Sequence, residues 1–176
     1  GNSMFSTLLA LRANIENYSN EMVGLMASAY FFGFALGTFR SGPLINRIGH
    51  IRAFAALSAI AAASALMVLI IPNPWAWVAL RAIMGAASAG LFVVVESWLN
   101  NRATNTSRGI LLSIYIVIGY TASAVGQQAI KFGDPAGFGL FLLVGIVLVL
   151  SLVPVSLPRA THPDPVDKPL LSLRTL

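Results

Sequence analysis

Ala53 to Leu80 reads AFAALSAIAAASALMVLIIPNPWAWVAL, 28 positions without a charged side chain, bounded by Arg52 and Arg81. A helix needs about 20 apolar residues to cross a hydrocarbon core of about 30 Å, so the run is long enough for one crossing. Pro72-Asn73-Pro74 then breaks the helix and lets the chain turn back. The same pattern recurs along the chain. Met22 to Phe39 is uncharged for 18 residues, Gly109 to Ile130 for 22 and Pro135 to Pro158 for 24. With 57% hydrophobic residues, 10% charged and no cysteine in 176 residues, the composition excludes an ordinary soluble domain, a disordered chain and a disulfide-stapled scaffold. The formal charge of +5 would suggest nucleic acid in a soluble protein, but here the bases gather at the ends of apolar runs. They act as topology signals, and no nucleic-acid partner is expected.

Five complete spans and part of a sixth are expected, an all-α integral-membrane bundle. Residues 1–13 are apolar but too short to cross, and read as the tail of a helix whose start is missing. They have neither the basic region nor the cleavage site of a signal peptide. Asn14 to Asn20 is a polar turn in which Ser19 or Asn20 can cap the next helix, with Glu21 in its first turn. The second span is predicted over 20–44, ended by Gly42 and Pro43, and the third over 51–71. The fourth covers 75–100, with Trp75 and Trp77 at one end and Trp98 at the other, as interfacial aromatics would sit. The fifth covers 108–130 and the sixth 136–157. Residues 159–176 are polar and proline-rich, and read as a linker outside the membrane. One membrane face collects Arg40, Arg47, Arg52, Arg102, Arg108, Arg159, Lys168 and Arg174, against Arg12 and Lys131 on the other. Cytoplasmic loops carry the excess of Lys and Arg, so the first face is expected inside, with both chain ends cytoplasmic.

Lipid gives helices little hydrophobic reason to associate, so close packing needs small residues. Gly33 with Gly37, Gly85 with Ala89, and Gly119 with Ser123 supply such pairs on spans two, four and five. Each is expected to be a packing face within the bundle.

The segment between spans two and three, Gly42-Pro43-Leu44-Ile45-Asn46-Arg47-Ile48-Gly49-His50-Ile51-Arg52, resembles the cytoplasmic Gly-x-Leu-x-Asp-Arg-x-Gly-Arg-Arg signature of the major facilitator superfamily. Gly42, Leu44, Arg47, Gly49 and Arg52 match. Asn46 stands where the family has Asp, and His50 and Ile51 replace the paired bases, so a role needing a carboxylate at position 46 is unsupported. Span four carries a second match, the Arg-x-x-x-Gly pattern of Arg81 and Gly85. The continuation Val95-Glu96-Ser97-Trp98-Leu99, with Arg108-Gly109 opening span five, is similar to the YcaD-like branch of bacterial transporters. The resemblance covers the whole chain as the N-terminal six-helix half of a twelve-helix fold, with helix one truncated. It implies a bacterial inner-membrane transporter working by alternating access, in which helices one, four and five wall a central site.

Ionisable groups inside a span cost about 2.5 to 3.5 kcal/mol on insertion scales and usually face protein or water. On span four, Arg81, Gly85, Ser88, Phe92 and Glu96 recur at helical spacing and share one face, directed into the bundle or its cavity. Fifteen residues separate Arg81 from Glu96, about 22 Å along a helix, too far to pair. Glu96 reads as a proton-coupling group or as a gate carboxylate paired with Arg47 or Arg108. Arg81 reads as a group that binds an anionic substrate or influences a proton-carrying carboxylate, or as an anchor that snorkels outward to Glu16 or Glu21. Ser113, Tyr120 and Gln127 share a face of span five, lining a path or a polar packing seam.

No Gly-Lys-Ser/Thr phosphate loop occurs, His50 and His162 lack metal-ligand neighbours, and no acid–base pair can be argued. No enzymatic activity, cofactor or metal is expected. Asn105-Thr106-Ser107 fits a glycosylation triplet but falls on the inner face. The function expected is a half of a secondary transporter for a small solute, with protons or a second solute as the coupling species. Its partners would be the lipid bilayer and the C-terminal six-helix half. The alternative is a non-transporting membrane subunit or assembly factor that uses the same bundle to bind partner helices.

Overall fold

A computed structural model of the chain describes residues 2–104 and 106–156. The described residues form helices α1 (Asn2–Ile15), α2 (Asn20–Ile48), α3 (His50–Ile70), α4 (Pro74–Arg102), α5 (Arg108–Ala129), α6 (Gly139–Leu150) and the short α7 (Val153–Ser156). A 3-10 turn, Ile130–Phe132, extends α5. Four of the helices, α2 to α5, are long and apolar enough to cross a membrane, while α1 and α6 are shorter. The expected linker 159–176, with Arg159, His162, Lys168 and Arg174, lies outside the described residues, as does Asn105.

The helix boundaries follow local chemistry. Ser19 is the cap of α2, its Oγ accepting from the Met22 N–H at 3.3 Å. Asn73 caps α4 by accepting from the N–H groups of Trp75 and Ala76 at 2.9 and 3.3 Å, and Pro74 takes the first helical position, where its missing N–H costs nothing. The end of α2 differs from expectation. Gly42 and Pro43 do not stop it; the helix continues to Ile48 and closes at Gly49, whose φ of 81° is one that side-chain-bearing residues rarely adopt. Proline removes a single hydrogen bond, and Ser41 and Ile45, buried on either side of Pro43, hold the helix through it. The signature segment is therefore the last turns of one helix, one glycine, and the first turn of the next. At 1.5 Å per residue the 29-residue α2 and α4 are each about 44 Å long, so both overrun a hydrocarbon core of about 30 Å.

The tightest seam joins α2 and α4. A Cβ added at Gly33 would run into the Ala82 carbonyl, one at Gly37 into that of Ala86, and one at Gly85 into the Tyr30 carbonyl. Only hydrogen fits between these backbones. From Gly33 to Gly37 to Ser41, the facing residue on α4 advances from Ala82 to Ala86 to Gly90, so the two helices run parallel. Parallel neighbours separated by one intervening helix are what alternating crossings produce, with α3 returning between them. Around this seam lie two cores. One joins α1, α3, α4 and α6 at the Pro-Asn-Pro end through Phe5, Leu8, Trp77, Met84, Phe141 and Val144. The other joins α2, α3 and α4 nearer Gly49 through Ile45, Leu57, Ala61, Ala87 and Val94.

Two further expectations fail here. Trp77 is not an interfacial aromatic. It is 2% exposed, stacks edge-on against Tyr18 and donates its indole N–H to the Ile71 carbonyl at 2.8 Å, whereas Trp75 and Trp98 are exposed. The Gly119–Ser123 pair on α5 forms no close helix seam either, although Ser123 is half-buried. A Cβ at Gly119 would meet open space, and no residue of α5 is buried.

Candidate functional site

The shared face of α4 divides in two. At its Pro-Asn-Pro half, Arg81 and Ser88 are buried at 5% and 6% exposure, and Gly85 is closed against α2. Further along, Phe92 and Glu96 are exposed, Phe92 resting near Phe34 with ring centroids 6.1 Å apart. The face runs from a closed polar interior to an open surface along one helix.

Arg81 is the chemical centre of the closed half. Its guanidinium lies 4.5 Å from the Tyr30 ring centroid and 5.8 Å from that of Phe5, and one amino group donates to Ser6 Oγ at 3.2 Å. Asn2 donates its amide to the Tyr30 hydroxyl at 2.6 Å. Helices α1, α2 and α4 thus converge Asn2, Ser6, Tyr30 and Arg81 on one point, about 10 Å into α4 from Pro74. Arg81 Nη1 and Asn2 Oδ1 are buried with no hydrogen-bond partner among the described residues. The snorkelling reading does not hold in this structure. Glu16 pairs with Arg12 at 2.8 Å, the one ion pair among the described residues, and Glu21 is exposed.

Magnitudes show how unbalanced this is. A desolvated cation over an aromatic ring gains about 2 kcal/mol or somewhat more. Removing a charge from water costs several kcal/mol even after relaxation, and each buried donor left without an acceptor adds about 1 to 3 kcal/mol. Two rings and one hydroxyl offset part of that cost, and no carboxylate among the described residues supplies the rest.

The other predicted residues are placed as follows. Asn46, Arg47, Gly49 and Arg52 are exposed, and Gly42 and Leu44 half-buried, at the end of α2 and start of α3. Arg108 is exposed at the first turn of α5. Glu96 forms no ion pair with Arg47 or Arg108 in this structure. His50 opens α3, with Nε2 3.1 Å from Ser97 Oγ, and so ties α3 to α4. On α5 the expected polar line splits. Gln127 donates to the Ser3 hydroxyl at 2.7 Å and to Thr7 Oγ1 at 3.1 Å, whereas Ser113 and Tyr120 are exposed. No group of histidine and carboxylate residues with metal-binding geometry occurs among the described residues. A cavity of about 740 Å³ opens between α3, α4, α5 and α7, walled by His50, Phe54, Trp98, Arg102, Tyr115 and Pro154; Arg81 does not line it.

Sequence reasoning found Arg81 but missed Asn2, Ser6 and Tyr30. A signal existed for one of them. Tyr30, Gly33, Gly37 and Ser41 follow at intervals of three, four and four, and all four are buried, so a tyrosine shared the face that the glycines mark. Asn2 and Ser6 sit in a stretch whose position in the bundle the sequence does not fix.

A parallel glycine seam, a buried arginine between three helices and four membrane-length helices define a multi-pass membrane protein. The comparisons place it more closely. The sequence pattern of the Major Facilitator Superfamily matches residues 1–175, and the chain belongs to that family. It is 36% identical over 129 residues to an uncharacterized MFS-type transporter of Enterobacter sp. (strain 638), an alignment covering 73% of this chain and 34% of that protein. It is 30% identical over 157 residues to the uncharacterized MFS-type transporter YcaD of Escherichia fergusonii, covering 89% of this chain and 41% of the relative. A Yersinia pestis (strain Pestoides F) transporter of the same description is 25% identical over 171 residues, 97% of this chain and 45% of its own. The chain thus spans less than half the length of these relatives. No solved structure matches it.

Proposed function

We propose that the chain is the N-terminal half of a secondary active transporter that moves a small solute across a bacterial inner membrane by alternating access, with α1, α4 and α5 walling the path and residues 1–158 forming the six-helix unit. What carries the reading is the α4 face, where a closed polar centre at Arg81, Gly85 and Ser88 leads into an open surface at Phe92 and Glu96. A rocking half needs both conditions on one wall. The match over residues 1–175 supports the family's mechanism, and the uncovered α5, with Tyr120 among its exposed residues, leaves a surface for a second half. The clustering of Arg40, Arg47, Arg52, Arg102 and Arg108 at the Gly49 end supports a cytoplasmic placement of that end.

The signature residues Gly42, Leu44, Asn46, Arg47, Gly49 and Arg52, with Arg108, form the gate region, and Glu96 closes it by pairing with Arg47 or Arg108 in a state other than the one seen here. Glu96→Gln is then expected to reduce transport at least tenfold while leaving the melting temperature unchanged, because no ion pair of Glu96 is present to lose. Transport at the wild-type rate in that variant would remove Glu96 from the gate. The reading as a whole is tested by reconstituting the full-length protein in liposomes and following uptake of a solute panel under imposed proton and solute gradients. Flux above that of protein-free liposomes is expected. Its absence under every gradient would favour the non-transporting subunit.

A further inference from the structure

We propose that Arg81 is the anchor of an oxyanion subsite, so that the solute handled by this protein carries a carboxylate or phosphate group; this substrate class rests on the transport reading, whereas the subsite itself does not. The argument begins with what the guanidinium lacks. Arginine presents five N–H donors in a fixed plane and stays protonated, so a buried guanidinium calls for acceptors and for a negative charge. Here Ser6 satisfies one donor at Nη2, the rings of Tyr30 and Phe5 lie against the group, and Nη1 is left without a partner at 95% burial of the residue.

No charge among the described residues balances it. Among the described residues Glu16 is committed to Arg12, Glu21 is exposed in the first turn of α2, Glu96 lies about 22 Å further along α4, and Asp134 is exposed past the end of α5. A planar, forked donor held by aromatic rings suits a planar or tetrahedral oxyanion that takes two N–H groups at once. The neighbours agree with that chemistry. Tyr30, Ser6 and Asn2 bring a hydroxyl, a second hydroxyl and an amide, which can donate to or accept from the rest of a polar solute, and Asn2 Oδ1 is likewise unpartnered. Arg81 is buried in this conformation, and α1, which brings Asn2, Phe5 and Ser6 to it, reaches α5 through Gln127 and through Met4 beside Gly126, and α6 through Phe5 on Phe141. Movement of α1 is the route by which the anion enters.

The decisive experiment supplies the missing charge from the protein. Ser6→Asp places a carboxylate where the Arg81 bond to Ser6 now lies, and Ser6→Asn is its neutral control; both are made in the full-length protein with Arg81 intact and with Arg81→Gln. Thermal unfolding in detergent is expected to show Ser6→Asp melting several degrees above Ser6→Asn when Arg81 is present, with the difference gone in the Arg81→Gln background. Ser6→Asp no more stable than Ser6→Asn beside Arg81, or a gain that persists without Arg81, would overturn the proposal. In parallel, wild type and Arg81→Gln are melted in acetate, succinate or inorganic phosphate against chloride at equal ionic strength, and an oxyanion-specific shift confined to wild type is expected. Liposome uptake separates the two levels of the argument. Flux of neutral or cationic solutes unaffected by Arg81→Gln would overturn the substrate class while leaving transport standing. No flux of any solute, together with the Ser6→Asp gain, would overturn transport while leaving the subsite.

Discussion

Helices α2 and α5 have similar apolar sequences, and each carries small residues four apart, yet they hold opposite positions in the molecule. On α2, Gly33 and Gly37 touch the backbone of α4. On α5, Gly119 meets open space and no residue is buried. The difference teaches that a small-residue pair is permission for close approach and not an instruction. Contact forms only where the partner presents its own small residues in register, as Ala82, Gly85, Ala86 and Gly90 do for α2. Opposite α5 the structure has the side chains of α1 and a cavity of about 740 Å³ against α4, so its small face stays available to whatever lies beyond these helices.

The largest effect should come from breaking the seam. Gly85→Leu drives a side chain into the Tyr30 carbonyl, an obstacle that cannot rotate away, and the cost should exceed the usual 1 to 3 kcal/mol of overpacking. Size-exclusion of the detergent-solubilised variant should show loss of the monodisperse species. A much smaller loss is expected where α5 is attached. Gln127→Ala removes the bonds to Ser3 and Thr7, and polar contacts between membrane helices are worth about 0.6 kcal/mol on average. Faster hydrogen exchange confined to α1 and α5 would register it. The smallest effect is at the turn between α1 and α2. Burial, and then the Glu16 carboxylate, raise the Tyr18 phenol above its ordinary 10.0, against a lowering by Arg12. The neutral form is the one favoured when folded, so its contribution is complete below pH 10 and fades as pH rises through the folded value. Tyr18→Phe should therefore flatten the alkaline limb of a stability profile above pH 10 and leave the rest unchanged.

Much of this fold was legible because its signals are local. Uncharged length located four membrane-length helices, although the run from Pro135 to Pro158, expected to hold a span over 136–157, contains only the 12-residue α6 and the short α7; Ser19 was one of two residues offered as the α2 cap, and the glycine spacing marked the α2 face. What escaped was decided by neighbours. Pro43 reads as a stop, but a single lost hydrogen bond does not outweigh the packing of Ser41 and Ile45 on either side of it, both buried. Trp77 reads as interfacial, but a hydrogen bond to the Ile71 carbonyl turned its polar edge inward. The site was half legible. The cost of a charge in a span singled out Arg81, while Asn2, Ser6 and Tyr30 became its surroundings only once three helices met. Glu96 was legible as a charge within a span, but in this structure it forms no ion pair with Arg47 or Arg108.

The contrast between the two helices reduces to a single methyl group at each of two glycines. Gly33→Ala and Gly119→Ala, melted side by side in the same detergent, test it most directly. The first adds a methyl into the Ala82 carbonyl and is expected to cost about 3 kcal/mol. The second adds one in open space on a helix, where alanine is favoured over glycine by about 1 kcal/mol, and should melt at or above the wild-type temperature. Equal melting temperatures for the two variants would contradict the seam between α2 and α4 as the close contact on which the bundle is built.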